Sequence, residues 1–365
     1  MSALVALGDI CRPKQWPTLS KAQMKKTGYP VYGANGKIGF YDSFTHEMPT
    51  LLIGCRGSCG TVVVSEPMSY VNGNAMALDN LDSDRVDLGY LCQYFKHRGF
   101  QDVITGTSQP QIIGLNLKRV EVPLPPLAEQ RRIASILDKA DALRAKRRLA
   151  IAKLDQLLQS VFLEMFGDPV TNPKRWHMST IGAECTVGSG STPSRTVDQY
   201  FSGVIPWVKS TEVDWGTIVD TSERISQEGQ RAARLKMYVP GTIVVALYGQ
   251  GKTRGKCAVL GMPATMNQAC AGVVPRESVN GSFLFHYLKL SYLTLRGESR
   301  GGNQENLNLE ILKSFGLPMP PIEMQNRFAR LASVLANRQA EQSSAGMKLD
   351  RLFASAQTQA FCGEL

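Results

Sequence analysis

Apolar residues follow two different rhythms along this chain. Up to about residue 120 they come in short β-type runs, such as Thr50-Leu51-Leu52-Ile53 and Thr61-Val62-Val63-Val64, punctuated by glycine turns, with one helical stretch from Leu88 to Lys96. Residues from about 169 to 317 read the same way. There Gly241-Thr242-Ile243-Val244-Val245-Ala246 is the counterpart of the strand at 50–53, and Phe283 to Leu290 that of the helix. After each region the rhythm lengthens. From about Leu127 to Phe166, alternating steps of three and four connect Ile133, Ile136, Ala140, Leu143, Arg147, Ala150, Leu154, Leu157 and Val161. A second set does the same: Phe328, Leu331, Leu335, Arg338, Gln342, Ala345, Leu349, Leu352 and Ala356. A mostly apolar stripe of this spacing over several heptads predicts a coiled-coil seam, and the natural partner of each helix is the other.

The two long segments are copies. Pro123, Pro125, Pro126, Leu127, Gln130, Arg132, Ile133 and Ala134 return without a gap as Pro318, Pro320, Pro321, Ile322, Gln325, Arg327, Phe328 and Ala329. The register holds through Lys153, Leu154 and Asp155 against Lys348, Leu349 and Asp350. Prolines can neither continue a strand ladder nor sit inside a helix, so they end one region and launch the next, and Gly167-Asp168-Pro169 stops the first helix. The chain thus divides into four segments: a globule at 1–122, a helix at 123–168, a globule at 169–317 and a helix at 318–365. The expected fold is mixed α/β. Two similar globular α/β domains are separated by two long helices that pair as an antiparallel coiled coil with pseudo-twofold symmetry. Roughly 36 helical residues would make a spacer about 54 Å long. The second copy departs from the first, toward more polar residues, at Ala332, Asn337 and from Gln342 to Ser344.

Composition narrows the chemistry. With 43% hydrophobic residues, no basic-then-apolar leader and no run of 18 apolar residues, the expectation is a soluble cytoplasmic protein. Eight cysteines and four histidines show no metal-site spacing, so free thiols and no bound metal are expected. His46, His97, His177 and His286 have no recognisable triad partners. A base-methylating loop needs a polar residue, two prolines and an aromatic ring. The double prolines here are flanked by Leu124 and Leu127 or by Met319 and Ile322. The stretch from Ala246 to Thr253 imitates a phosphate loop, but Ala246 replaces its first glycine and no helix-forming stretch comes after it. Net charge is +10, and from Arg231 to Arg276 seven basic residues occur with no acidic one, which predicts a phosphate-contacting stripe.

Two similar but differently sequenced globules held apart by a spacer are suited to reading two unlike half-sites on one duplex. Side chains that fork onto base edges or phosphates are the candidates. In the first globule these are Tyr32, Asn35, Lys37, Arg56, Gln109 and Gln111. In the second they are Arg195, Lys209, Tyr248, Lys252, Arg254, Arg300, Asn303 and Gln304, while Trp207 reads as core.

The chain resembles the specificity subunit of type I restriction–modification systems. The resemblance covers essentially all of it, and is carried by the stretch from Pro123 to Ile133, by Phe166-Gly167-Asp168-Pro169 and by the second copy at 318–328. Tyr29 to Gly36, Thr192 to Arg195 and Ile205 to Val208 add to it. It implies a non-catalytic subunit that binds a bipartite, asymmetric site on double-stranded DNA, one half-site per target recognition domain. It further implies partners: two adenine-N6 methyltransferase subunits, onto which restriction and translocase subunits dock. S-adenosylmethionine and ATP would then be bound by those partners and no cofactor by this chain. Two other readings stay open: a coiled-coil scaffold whose globules bind protein, and a self-sufficient DNA-modifying enzyme.

Overall fold

The computed structural model describes residues 3–249, 251–298 and 306–362. Backbone contacts divide the chain into two units, Met1–Leu149 with Gln342–Leu365, and Ala150–Glu341. The two long helices, Leu127–Phe166 and Ile322–Cys362, each contribute one part to either unit.

Both globules are built on one plan. In the first, an antiparallel sheet runs in the order Arg12–Gln15, Ala75–Asp79, Leu51–Gly54, Val62–Val64. A smaller sheet has Tyr29–Gly33 between Gly36–Tyr41, antiparallel, and Tyr70–Val71, parallel. In the second, the main sheet runs Cys185–Ser189, Cys270–Pro275, Ile243–Ala246, Cys257–Leu260, Thr217–Ile218. Its smaller sheet again has a central strand, Ile205–Val208, antiparallel to Arg224–Ile225 on one side and parallel to Thr265–Met266 on the other. The central strands are apolar on both faces because both are covered. Leu51, Leu52, Ile53 and Ile243 to Ala246 are all buried. A helix packs on each main sheet, Leu88–Arg98 or Gly281–Leu290. Asp87 caps the first by accepting from Tyr90 N at 2.9 Å, and Asn280 caps the second by accepting from Ser282 N at 2.9 Å.

A buried glutamine explains why the proline segment and the first turn of the helix after it are repeated. Gln130 is wholly buried at the start of the first long helix. Its amide donates to Pro125 O at 2.9 Å and Arg85 O at 2.8 Å, and its oxygen accepts from Asp87 N at 2.9 Å. Gln325 repeats the arrangement, donating to Pro320 O and Ser278 O and accepting from Asn280 N. In each unit one side chain thus ties three backbone segments together: the proline entry, the turn before the globule's helix, and that helix's N-terminus. Gly167, at φ +82, ends the first long helix in the left-handed region, where an added Cβ would also meet Pro173 at 2.8 Å.

In the first unit the helix parts run antiparallel. Arg144 Nε donates to Asp350 at 2.5 Å with its guanidinium 4.3 Å over the Phe353 ring, while Ile133, Ala134, Leu137, Phe353 and Ala360 share one core with Tyr90. In the second unit Gln339 donates to Asp155, and Phe162 and Phe166 pack on Phe328 and Phe283 of the globule's helix.

The covered stripe differs from the expected seam by one residue at every second step. On the first helix it passes through Ile133, Leu137, Ala140, Arg144, Arg147, Ile151, Leu154, Leu158 and Val161; on the second through Phe328, Ala332, Leu335, Gln339, Gln342, Gly346, Leu349, Phe353 and Ala356. Ile136, Leu143, Leu157, Leu331 and Leu352, expected in the seam, are 38 to 68% exposed. Heptad spacing is satisfied by either phase. The observed one is selected because it buries Leu137, Phe353 and the Arg144 stem, whose charged head still reaches Asp141 and Asp350.

Truncating Leu137 to Ala should therefore cost about 2–5 kcal/mol of unfolding free energy, and the adjacent Ile136→Ala under about 1 kcal/mol, in chemical denaturation of the full chain. Gln325→Leu strips three backbone groups of their partner and should cost about 1–3 kcal/mol in the same assay.

Candidate nucleic-acid interface

The first unit gathers polar side chains from three loops. Ala34 and Asn35 form the two-residue turn between Tyr29–Gly33 and Gly36–Tyr41, and Asn35 is exposed. The Arg56 loop lies against this turn: at Gly54 a Cβ would come within 2.8 Å of Ala34 O and 2.2 Å of Ser58 O, so only glycine allows the approach. The third loop joins Ile104–Thr105 to Gln111–Ile112. Arg56 forms a β-bridge with Gln111, and Cys59 Sγ donates to Pro110 O at 3.0 Å. Asn35, Arg56, Gln109 and Gln111 are therefore brought into one region, Gln111 half-buried and the others exposed.

Two of the residues expected there do something else. Tyr32 is only 6% exposed and packs with Leu52, Val71, Ala75 and Ala77. Its hydroxyl donates to Glu66 Oε1 and accepts from Glu66 N, both at 3.2 Å, and burial pushes its pKa above the ordinary 10. Both faces of the strand are covered here, Val31 being buried as well, so Tyr32 belongs to the core. Lys37 is exposed but paired with the same Glu66 at 3.3 Å, with its ammonium 4.8 Å over Phe40.

In the second unit, Arg195 and Lys209 converge on one carboxylate. Glu223 accepts from Arg195 at 2.7 Å and from Lys209 at 2.7 Å. The Arg195 guanidinium lies 4.1 Å over Phe201 and 5.1 Å over Trp207. Trp207 is buried, as its apolar flanks predict, and its indole donates to Ser191 O at 3.1 Å. The hydrogen bond from Arg195, then that from Lys209, holds the Glu223 carboxyl below its ordinary 4.5.

Tyr248 and Lys252 are exposed on the loop after Ile243–Ala246. That loop is braced from the helix Tyr292–Gly297: Tyr292 Oη donates to Lys252 O at 2.7 Å, and Arg296 donates to Gly251 O at 2.5 Å and Arg254 O at 3.1 Å. Arg254 itself is 9% exposed and so sits within the fold rather than on its surface. The basic stripe is correspondingly uneven, because Lys256 pairs with Asp214 at 2.6 Å and Lys236 covers Tyr238. Arg300, Asn303 and Gln304 lie outside the described residues.

Thr192 and Gln268 were not among the sequence candidates. Both stand beside this loop, their side chains hydrogen-bonded to each other, and Ala269 next to Gln268 accepts from Tyr248 N at 3.4 Å. The available signal was Asn267-Gln268 interrupting the apolar run between Thr265–Met266 and Cys270–Pro275.

The arrangement offers amide, guanidinium, ammonium and phenol groups on loops carried by rigid sheets. Among the described residues no paired carboxylates or activated nucleophile stand with them. His46 does have partners, Asp79 at 2.9 Å and Thr45 at 2.7 Å, yet Thr45 is committed to the backbone of Ser69 and Val71.

Comparison with known proteins agrees with this construction. The "Type I restriction modification DNA specificity domain" family matches residues 2–153 and again 173–343. The chain is 23% identical over 314 residues to the type I restriction enzyme MjaIX specificity subunit of Methanocaldococcus jannaschii, covering 78% of this chain and 70% of that one. It is 26% identical over 226 residues to the EcoR124I/EcoR124II specificity subunit of Escherichia coli, covering 59% of this chain and 54% of that one. The same fold is found in the crystal structure of a type I restriction–modification system S subunit from M. genitalium, with a TM-score of 0.69 at 16% identity, covering 98% of this chain and 96% of that chain. A chain from a structural study of type I R-M complex assembly and conformational transition gives a TM-score of 0.59 at 17% identity. With two matches that together span most of its length, the chain belongs to the type I restriction modification DNA specificity domain family.

Proposed function

We propose that this chain is the DNA sequence-specificity subunit of a type I restriction–modification complex, acting in the cytoplasm without catalytic residues of its own. The observation that carries the reading is the pairing of two like scaffolds with unlike loop surfaces. The first presents Asn35, Arg56, Gln109 and Gln111; the second presents Thr192, Tyr248, Lys252 and Gln268. Each would read one half-site of a bipartite, asymmetric target. The functional division would be 1–122 and 169–317 as recognition domains, with 123–168 and 318–365 as the connecting helices.

Two methyltransferase subunits, and through them restriction subunits, would dock on the helices. In the first unit Leu143, Met347 and Leu352 are 57, 60 and 68% exposed although their helices are already paired, and in the second Leu157 and Val334 are 48 and 61% exposed. Large apolar side chains left outside a seam on paired helices suit a protein partner. S-adenosylmethionine and ATP would be held by those partners.

Sequencing host DNA for N6-methyladenine with and without this gene tests the reading: one bipartite motif should lose its methylation on deletion, and unchanged methylation would contradict it. In binding assays on the assembled complex, affinity for duplex should fall linearly with log salt at a slope of about −0.9 per phosphate neutralised, and a titration of S-adenosylmethionine into this chain alone should give no heat.

Glu223 supplies a pH prediction. Its folded pKa is depressed, so its contribution to stability is in place above its ordinary value of 4.5 and is lost as pH falls through the folded value. Glu223→Gln should accordingly be less stable than the parent near neutrality and converge with it in acid, measured by melting temperature against pH.

A further inference from the structure

Unlike residues occupy one backbone frame in the two globules. In the first, Asn74 O accepts from Cys55 N at 2.9 Å and Arg56 N at 3.3 Å, and Cys55 O accepts from Ile112 N at 3.0 Å. In the second, Ala269 O accepts from Leu247 N at 2.8 Å and Tyr248 N at 3.4 Å, and Leu247 O accepts from Leu307 N at 3.1 Å. The frame extends further back. Two residues before each accepting carbonyl stands an asparagine whose N–H donates to the end of the smaller sheet's central strand, Asn72 to Tyr32 O at 2.8 Å and Asn267 to Val208 O at 2.9 Å. These bonds make Arg56 and Tyr248 structural equivalents, although no sequence identity marks them as such.

We infer that this position fixes one base pair of the half-site in each globule, Arg56 by forking onto a guanine and Tyr248 by a different contact from the same place in the frame. The inference rests on the DNA-reading function proposed above and names the residues that set its outcome. Its backbone is pinned by sheet and loop hydrogen bonds while its side chain is exposed, 38% in the case of Tyr248. A residue that positions itself through its backbone can change identity, and thus target, without disturbing the frame.

Arg56 also differs from the other cation of the first interface. Lys37 is spent on Glu66, whereas no carboxylate among the described residues lies within ion-pair distance of Arg56. Its five donors are available to the acceptor pair that guanine presents in the major groove. Around it stand Asn35, Gln109 and Gln111, which can confirm register on neighbouring bases or phosphates.

Selection of duplexes from a randomised pool, by the full-length chain assembled with its methyltransferase subunits, tests the assignment. Arg56→Lys keeps the charge but cannot fork, so it should lose roughly ten-fold of the preference for guanine at one position of the first half-site, with the second half-site unchanged. Tyr248→Ala should relax one position of the second half-site alone. Both side chains are exposed, so the variants should keep the parental melting temperature. The inference is overturned if Arg56→Lys selects the parental motif while Arg56→Ala weakens all sequences equally with a shallower salt slope, which marks a phosphate contact. It is also overturned if either variant alters the other globule's half-site. A parental complex that enriches no motif at all would overturn the DNA-reading function itself, and is thereby distinguished from a failure of the residue assignment.

Discussion

Antiparallel pairing of the two repeated helix segments is the constraint on which the other features of the molecule depend. Each long helix covers its narrow apolar stripe partly against the other and partly against a globule helix, through Tyr90 in the first unit and Phe283 in the second. In the first unit the contact is made by Leu137, Arg144, Asp350 and Phe353; in the second by Asp155, Phe162, Phe328 and Gln339. The globules are fastened to this arrangement rather than merely tethered. Gln130 and Gln325 tie the start of each helix to the N-cap of a globule helix, and Tyr94 and Tyr287 donate to Glu121 O and Gly316 O on the strands Glu121–Leu124 and Gly316–Pro318, which lead into the double prolines. The repeat is thus retained where it does mechanical work.

That division of labour leaves the loops free to diverge. Apolar burial and backbone hydrogen bonding hold the sheets, so exposed side chains on the loops carry little of the stability. Some cations that look available are already engaged, Lys37 with Glu66 and both Arg195 and Lys209 with Glu223. Net positive charge alone therefore overstates how many groups can meet phosphate. Engaged pairs of this kind orient their cations, and a duplex would have to compete for them.

Much of the fold is legible in the sequence for identifiable reasons. Pro125-Pro126, Pro320-Pro321 and Gly167 mark helix ends because they act through local sterics, whereas Pro123 and Pro318, expected to end a strand ladder, lie within paired two-stranded ladders at whose edges their missing N–H is tolerated. The repeat exposes the helix pair because both copies must cover complementary stripes. Trp207 is legible as core from its apolar flanks. The phase of the seam is not. At every ambiguous step but Arg338 beside Gln339 an apolar residue sits beside the one that is covered, and Leu143 outranks Arg144 on hydropathy although it is the Arg144 guanidinium that lies over Phe353. The inward turn of Tyr32 is hidden as well, because its hydroxyl partner, Glu66, is distant in sequence. The burial of Arg254 likewise depends on a loop braced by Tyr292 and Arg296, about forty residues away. Contacts between remote segments carry no local signature, and the equivalence of Arg56 with Tyr248 is of this kind, visible only in the hydrogen bonds around them.

Engineered cysteine pairs in the full chain measure the pairing of the helices directly. Cysteines replacing Arg144 and Asp350, or Asp155 and Gln339, should be joined within the chain by a short bifunctional thiol cross-linker, because the native side chains at those positions reach one another. A cross-link joining positions 144 and 339 instead, which occupy the same place in the two copies of the repeat and would meet only in a parallel pair, would contradict the account.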